Sequence, residues 1–235
     1  MYLTKSQQDK KKLAATIGFW SAILLVVLNL WYFIAFVLYQ PILHSRWPGL
    51  ASYASHFQST PLLLWVVPTF FIGPVFLVMI TCLHAWADEE KQVWSLLALV
   101  FAVAYTAVLS PDYYIQMTMV PHNLAHGITD GMTLWLYADP FYPYNIPGAL
   151  EGVGFGFTGV SFLFASAVFG VSRLERWTRW TFFGTGLSAL VAFVDPLIRL
   201  PFVILFGALI AAAVLLTLAP VLLAVLFRRS VHTAR

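Results

Sequence analysis

The chain has 235 residues, of which 60% are hydrophobic and only 10% charged. A soluble domain carries about 25% charged residues, so this composition excludes a water-soluble globular protein. The formal net charge of +3 does not point to nucleic acid, because the basic residues flank apolar runs instead of sharing one polar face.

Six apolar stretches predict six membrane-spanning helices, at residues 13–38, 62–83, 93–110, 149–169, 178–194 and 202–227. Most approach or exceed the roughly 20 residues that cross a hydrocarbon core of about 30 Å. The expected fold is all-α: one polytopic transmembrane bundle of six helices, with a long, partly helical outer loop between spans three and four. The first stretch, KKKLAATIGFWSAILLVVLNLWYFIAFVLY, is too long and too apolar for a secretory signal, and it reads as a retained span. Asn29, deep within it, suits a hydrogen bond between helices. Trp31, Tyr32, Tyr39, Trp47 and Trp65 suit an aromatic belt at the outer interface, and Trp177 and Trp180 one at the inner interface.

The basic residues set the orientation. With a cytoplasmic N-terminus, Lys5, Lys10, Lys11, Lys12, Lys91, Arg173, Arg176, Arg179, Arg228, Arg229 and Arg235 all fall inside. Only Arg46 and Arg199 fall outside. This alternates correctly over six spans, so both termini are expected in the cytoplasm of a cell-membrane protein. In the short inner loop HAWADEEKQ, Asp88 is expected to cap the third span, with Glu89 and Glu90 favoured at its positive end.

The outer segment 111–148 has no Lys or Arg and carries Asp112, Asp130 and Asp139. A structureless loop this long is uncommon. Its many aromatics predict that it lies on the membrane surface or re-enters the bundle as short helices. Pro111 is expected to kink the third span or to start a new helix.

Within this segment, PHNLAHGITDG spaces His122, His126 and Asp130 four apart. In an α-helix they would sit at 0, about 40 and about 80 degrees around the axis. Such a face can bind a divalent transition metal, serve as an acid–base relay, or simply be solvated. The metalloprotease pattern is not met, because residue 123 is Asn. Cys82 is the single cysteine, which excludes an intrachain disulfide and a multi-cysteine zinc site.

Glu151 opens the fourth span, where the helix dipole favours it at the surface and burial would make it functional. Asp195 and Arg199 bracket the last outer turn, as a cap and a surface ion pair. The run GFGFTG at 154–159 fits a dinucleotide fingerprint in letters alone. It lies inside an apolar span with no preceding strand, so no nicotinamide or flavin nucleotide is expected. Its glycines suit close helix packing, with Gly152 and Gly156, with Gly184, Ser188 and Ala192, and with Gly207 and Ala211. Spans four to six are therefore expected to pack tightly, and these small-residue faces also offer a route to a homo-oligomer.

YYIQMTMV, TDGM and IPGALEGVGFGFTGVSFLFASAVF resemble segments of a loosely defined group of small bacterial multi-pass membrane proteins. The shared features are Y-x-I-Q, then T-[DE]-G, then A-L-E opening a glycine-rich span. The resemblance covers about residues 113–169. It implies a multi-span membrane fold and no activity. It includes Asp130 and Glu151 but not the two histidines.

Three functions compete. In the first, an outward-facing polar cavity binds or acts on a small amphiphilic or lipid-like ligand. Asp130 and Glu151 would be its acid–base pair, assisted by His122 and His126. Asp112, Tyr113, Tyr114, Trp135, Tyr142, Asp195 and Arg199 would shape the site. The second is a small transporter or channel, which the scarcity of charge at the span centres disfavours. The third is a non-catalytic assembly subunit acting through its small-residue faces. The first is the expectation carried forward, as ligand binding more than catalysis, with the bilayer as partner and no nucleic acid.

Overall fold

The computed structural model describes residues 5–39, 49–136 and 145–233. The sequence forms helices α1 (Lys5–Tyr39), α2 (Leu50–Ser55), α3 (Ser59–Trp86), α4 (Gln92–Ala125), α5 (Ile146–Ser166), α6 (Arg173–Ile198) and α7 (Phe202–Thr233). No strand occurs among the described residues. All of these except the short α2 are long and apolar enough to cross a membrane. Their outward faces expose large apolar side chains such as Trp20, Leu30, Val100 and Val214, as fits a membrane-embedded protein.

The six long helices form a closed ring. Each packs mainly on its sequence neighbours among the long helices, and α7 returns to pack on α1. At one end, Lys11 Nζ meets Asp88 Oδ1 at 2.8 Å, Lys91 Nζ donates to Val168 O at 2.8 Å, and Trp86 Nε1 donates to Ser230 Oγ at 3.1 Å. These bonds gather the start of α1, the two short turns and the end of α7 into a basic end. The far end holds α2, residues 126–136 and the turn at 199–201.

The half of the ring near the basic end is solid. Phe162 lies 5.1 Å from both Phe76 and Phe182 between ring centroids, and Phe169 lies 4.9 Å from Phe182. Met79, Ile80, Leu83 and Phe227 complete this buried core. Such edge and tilted aromatic contacts add about 0.5–1.5 kcal/mol each beyond their buried area.

Several local expectations are corrected. α4 does not end near 110: it runs unbroken through Pro111 and Pro121 for 34 residues, about 51 Å. Each proline removes one backbone bond. One continuous face of α4, carrying Leu109, Asp112, Tyr113, Gln116, Val120 and Leu124, is buried and holds the helix together across both. Asp88 precedes a 3-10 turn (Glu89–Lys91) and makes no side-chain cap, because its carboxylate is engaged by Lys11. The capped helix in this region is α6, where Ser172 and Glu175 form a reciprocal capping box. Trp65 is not at an interface but buried, edge-on to Phe36. Arg46, Trp47, Asp139 and Tyr142 lie outside the described residues.

The glycine contacts are also redistributed. A Cβ on Gly159 would meet Gly186 O at 2.9 Å, and one on Gly186 would meet Gly159 O at 2.8 Å, so α5 and α6 touch backbone to backbone here. Gly156 is covered by Phe193. Gly152 and Gly207, by contrast, have nothing within 4 Å of such a Cβ. α6 packs on both α5 and α7, while α5 and α7 are not major neighbours.

Candidate functional site

The far half of the ring is hollow. A cavity of about 340 Å³ lies between α1, α5, α6 and α7, and a deeper chamber of about 140 Å³ continues from it towards α3 and α4. Tyr32, Phe33, Glu151 and Phe155 line both, which makes the two spaces contiguous. The floor is closed by Asn29, whose Nδ2 donates to Leu216 O at 2.9 Å and ties α1 to α7. Below it begins the phenylalanine core.

Glu151 stands at the junction of the two chambers. Its helix is set by Asn145, whose side chain accepts from Gly148 N at 2.7 Å as an N-cap, with Pro147 in the first turn. Glu151 therefore points from the second turn of α5 into the ring instead of out towards headgroups. Its Oε1 accepts a short hydrogen bond from the Tyr113 hydroxyl. Its second oxygen has no hydrogen-bond partner among the described residues. Tyr32 and Tyr105 bring two more phenols to the same chamber. Gly148 and Gly152, one helical turn apart, line the larger cavity without filling it, and a Cβ on Gly152 would meet open space.

Asp195 also lines the larger cavity. Its Oδ1 accepts from Leu200 N at 3.0 Å and its carbonyl accepts from Arg199 N at 2.7 Å, closing the end of α6. Arg199 takes the left-handed conformation, φ 49°, at that end. Among the described residues no lysine, arginine or histidine lines either chamber.

Asp112 sits behind this site, fully buried, with both carboxylate oxygens unpartnered among the described residues. One turn on, Gln116 Nε2 donates to Trp135 O at 2.7 Å, while its Oε1 is also unpartnered. Asp112 and Gln116 thus place three buried acceptor atoms together on one face of α4.

The sequence-derived residues separate into two groups. Glu151, Tyr113 and Asp195 meet at the cavity, with Asp112 beside it. Tyr114 faces outward and contacts Phe70, and Trp135 contributes only its carbonyl to Gln116. Asp130 is exposed on the turn beyond α4 and lines neither chamber, so it is not brought together with Glu151. His122 and His126 do meet, with ring centroids 4.3 Å apart, but His126 Nδ1 is held 2.8 Å from His122 O. The helix ends at Ala125, and Gly127 turns the chain at φ 71°, so Asp130 never joins their face. Among the described residues no group of three His, Cys, Asp or Glu could hold a metal ion. The sequence reading missed Tyr32 and Tyr105. Their signal was present: Asn29, Tyr32 and Phe36 form one stripe on α1, and Tyr105, Leu109 and Asp112 another on α4.

GFGFTG lies wholly within α5, in helical conformation. No protein-family model matches the chain, and no curated protein or solved structure is significantly similar to it.

Proposed function

We propose that this chain is an integral protein of the cell membrane, with both termini in the cytoplasm, that binds a small amphiphilic, lipid-like ligand in the far-end cavity. The observation that carries this reading is Glu151: a carboxyl group inside the ring, bonded to one phenol and flanked by two more, at the junction of two apolar chambers. Ionisable groups inside a membrane bundle are costly and mark functional sites. A concave, mainly apolar space with a few convergent polar groups is the general form of a small-molecule site.

Val37, Phe206 and Ile210 line the cavity from the far ends of α1 and α7 and are exposed. A ligand with an apolar tail can therefore lie between the far ends of α1 and α7 while its head reaches Glu151. The positive-inside distribution supports a cytoplasmic basic end, which turns the cavity towards the opposite leaflet. A transport route would have to pass the closely packed phenylalanine core, so binding is favoured over conduction.

The test is native mass spectrometry of the protein released from nanodiscs, with extraction and identification of bound small molecules. Wild-type protein is expected to retain a defined amphiphile. Gly152→Leu, which fills the cavity, is expected to lose it while remaining folded. The same bound molecules in both proteins would refute the cavity as the binding site. Reporter fusions at each terminus and in the 126–136 segment test the orientation.

A further inference from the structure

We infer that the ligand's head group is an organic ammonium; this rests on the cavity being a ligand site, and it specifies the chemistry that site selects. Two independent features of the larger chamber converge. The first is charge. Glu151 and Asp195 both line it, with no lysine, arginine or histidine in the lining among the described residues. An anionic head, whether phosphate, sulfate or carboxylate, would meet two carboxyl groups and no basic side chain of the described lining, in a largely apolar space where electrostatic interactions are less screened than in water.

The second feature is aromatic. Tyr32, Phe33 and Phe36 from α1, Phe155 from α5 and Phe206 from α7 surround the same chamber. Ring faces attract cations through their quadrupole, and aromatic walls with an adjacent carboxylate are a general solution for holding alkylammonium groups. The free oxygen of Glu151 supplies the charge-assisted hydrogen bond for an amine with an N–H. For a quaternary head it supplies the counter-charge alone. Asn29 and the phenols below offer neutral polar contacts but no positive charge. A volume of about 340 Å³ holds a trimethylammonium head with several methylenes, and the rest of the tail continues between α1 and α7.

The experiment uses three single-chain probes of equal length: decyltrimethylammonium, decanol and decanoate. Each is titrated into the full-length protein in nanodiscs, with empty nanodiscs subtracted, and binding is read by microcalorimetry. The ammonium is expected to bind at least about tenfold more tightly than the alcohol, and decanoate most weakly. Glu151→Gln, which preserves shape, is expected to erase most of the ammonium preference and leave decanol binding nearly unchanged. Asp195→Asn keeps the oxygen that accepts from Leu200 N and gives a second, independent loss of preference. Gly152→Leu is expected to abolish all three titrations. Equal binding of the ammonium and the alcohol, or tighter binding of decanoate, would overturn the head-group inference while leaving the cavity as a ligand site. Binding that survives unchanged in Gly152→Leu, or no specific binding of any probe, would overturn both.

Discussion

Replacing Asp112 with Asn should make this protein more stable. The carboxylate is fully buried, both of its oxygens lack partners, and Gln116 Oε1 one turn away lacks one too. Asp and Asn have nearly the same volume, so the exchange opens no void. Residues four apart share a helix face, and the new amide can donate to Gln116 Oε1. Satisfying one buried acceptor is worth about 1–3 kcal/mol, and removing a buried, unpaired charge acts in the same direction. For a chain of this size 1 kcal/mol moves Tm by about 2–4 °C, so the expected rise is roughly 2–12 °C. Thermal unfolding of the detergent-purified protein, followed by tryptophan fluorescence, reads this directly. Asp112→Ala is the control: it leaves Gln116 unsatisfied, opens a void, and should gain less or lose stability. A lower Tm for Asp112→Asn would refute the reasoning, since it would mean that the carboxylate charge has a stabilising partner in the folded protein.

Other outcomes follow from the packing. Gly159→Val should destabilise the fold by about 1–3 kcal/mol or more through overpacking against the Gly186 backbone. Gly152→Ala should instead be neutral or stabilising by up to about 1 kcal/mol, because its Cβ meets open space and Ala favours the helix; similar Tm shifts for the two would contradict the contrast between them. Asn29→Leu should cost about 0.6–1.7 kcal/mol through loss of its bond to Leu216 O, again read by Tm. Asp88→Asn should change stability by less than about 1 kcal/mol, because its bond to Lys11 is largely solvent-exposed; a larger loss of chemical stability would show the pair to be part of a stronger network.

The sequence was most informative where length and hydropathy decide the outcome. Six apolar runs could only satisfy their backbone in a membrane as helices, and the short turns between them forced antiparallel neighbours. Asn29 was readable because an amide at that depth needs a helix partner. The course of α4 was not readable. Prolines at 111 and 121 suggest breaks, and only the buried face shared by Leu109, Tyr113, Gln116 and Val120 shows why none occurs. The histidine pair misled for a related reason. Spacing gives a common face only while the helix lasts, and the helix stops at Ala125, one residue before His126. Glu151 could be headgroup-facing or buried by sequence alone. Its direction depends on where α5 begins, which the Asn145 cap sets. Tyr32 was drawn towards an interface by its neighbour Trp31, although the two point to different sides of α1.

The order of helices around the ring bears on how the protein is made. Five of its six main interfaces join consecutive long helices, so each hairpin can pack as soon as its second helix emerges. The sixth, between α1 and α7, joins the first and last of these helices and includes the Asn29–Leu216 bond across 187 positions. It cannot form until α7 has emerged. Until then Asn29 and the carboxyl of Glu151 face an unclosed arc, open to lipid on one side. The step that creates the cavity is thus also the step that closes the ring, and a chain arrested before α7 would present its polar interior to the bilayer, a recognisable mark of an unfinished molecule.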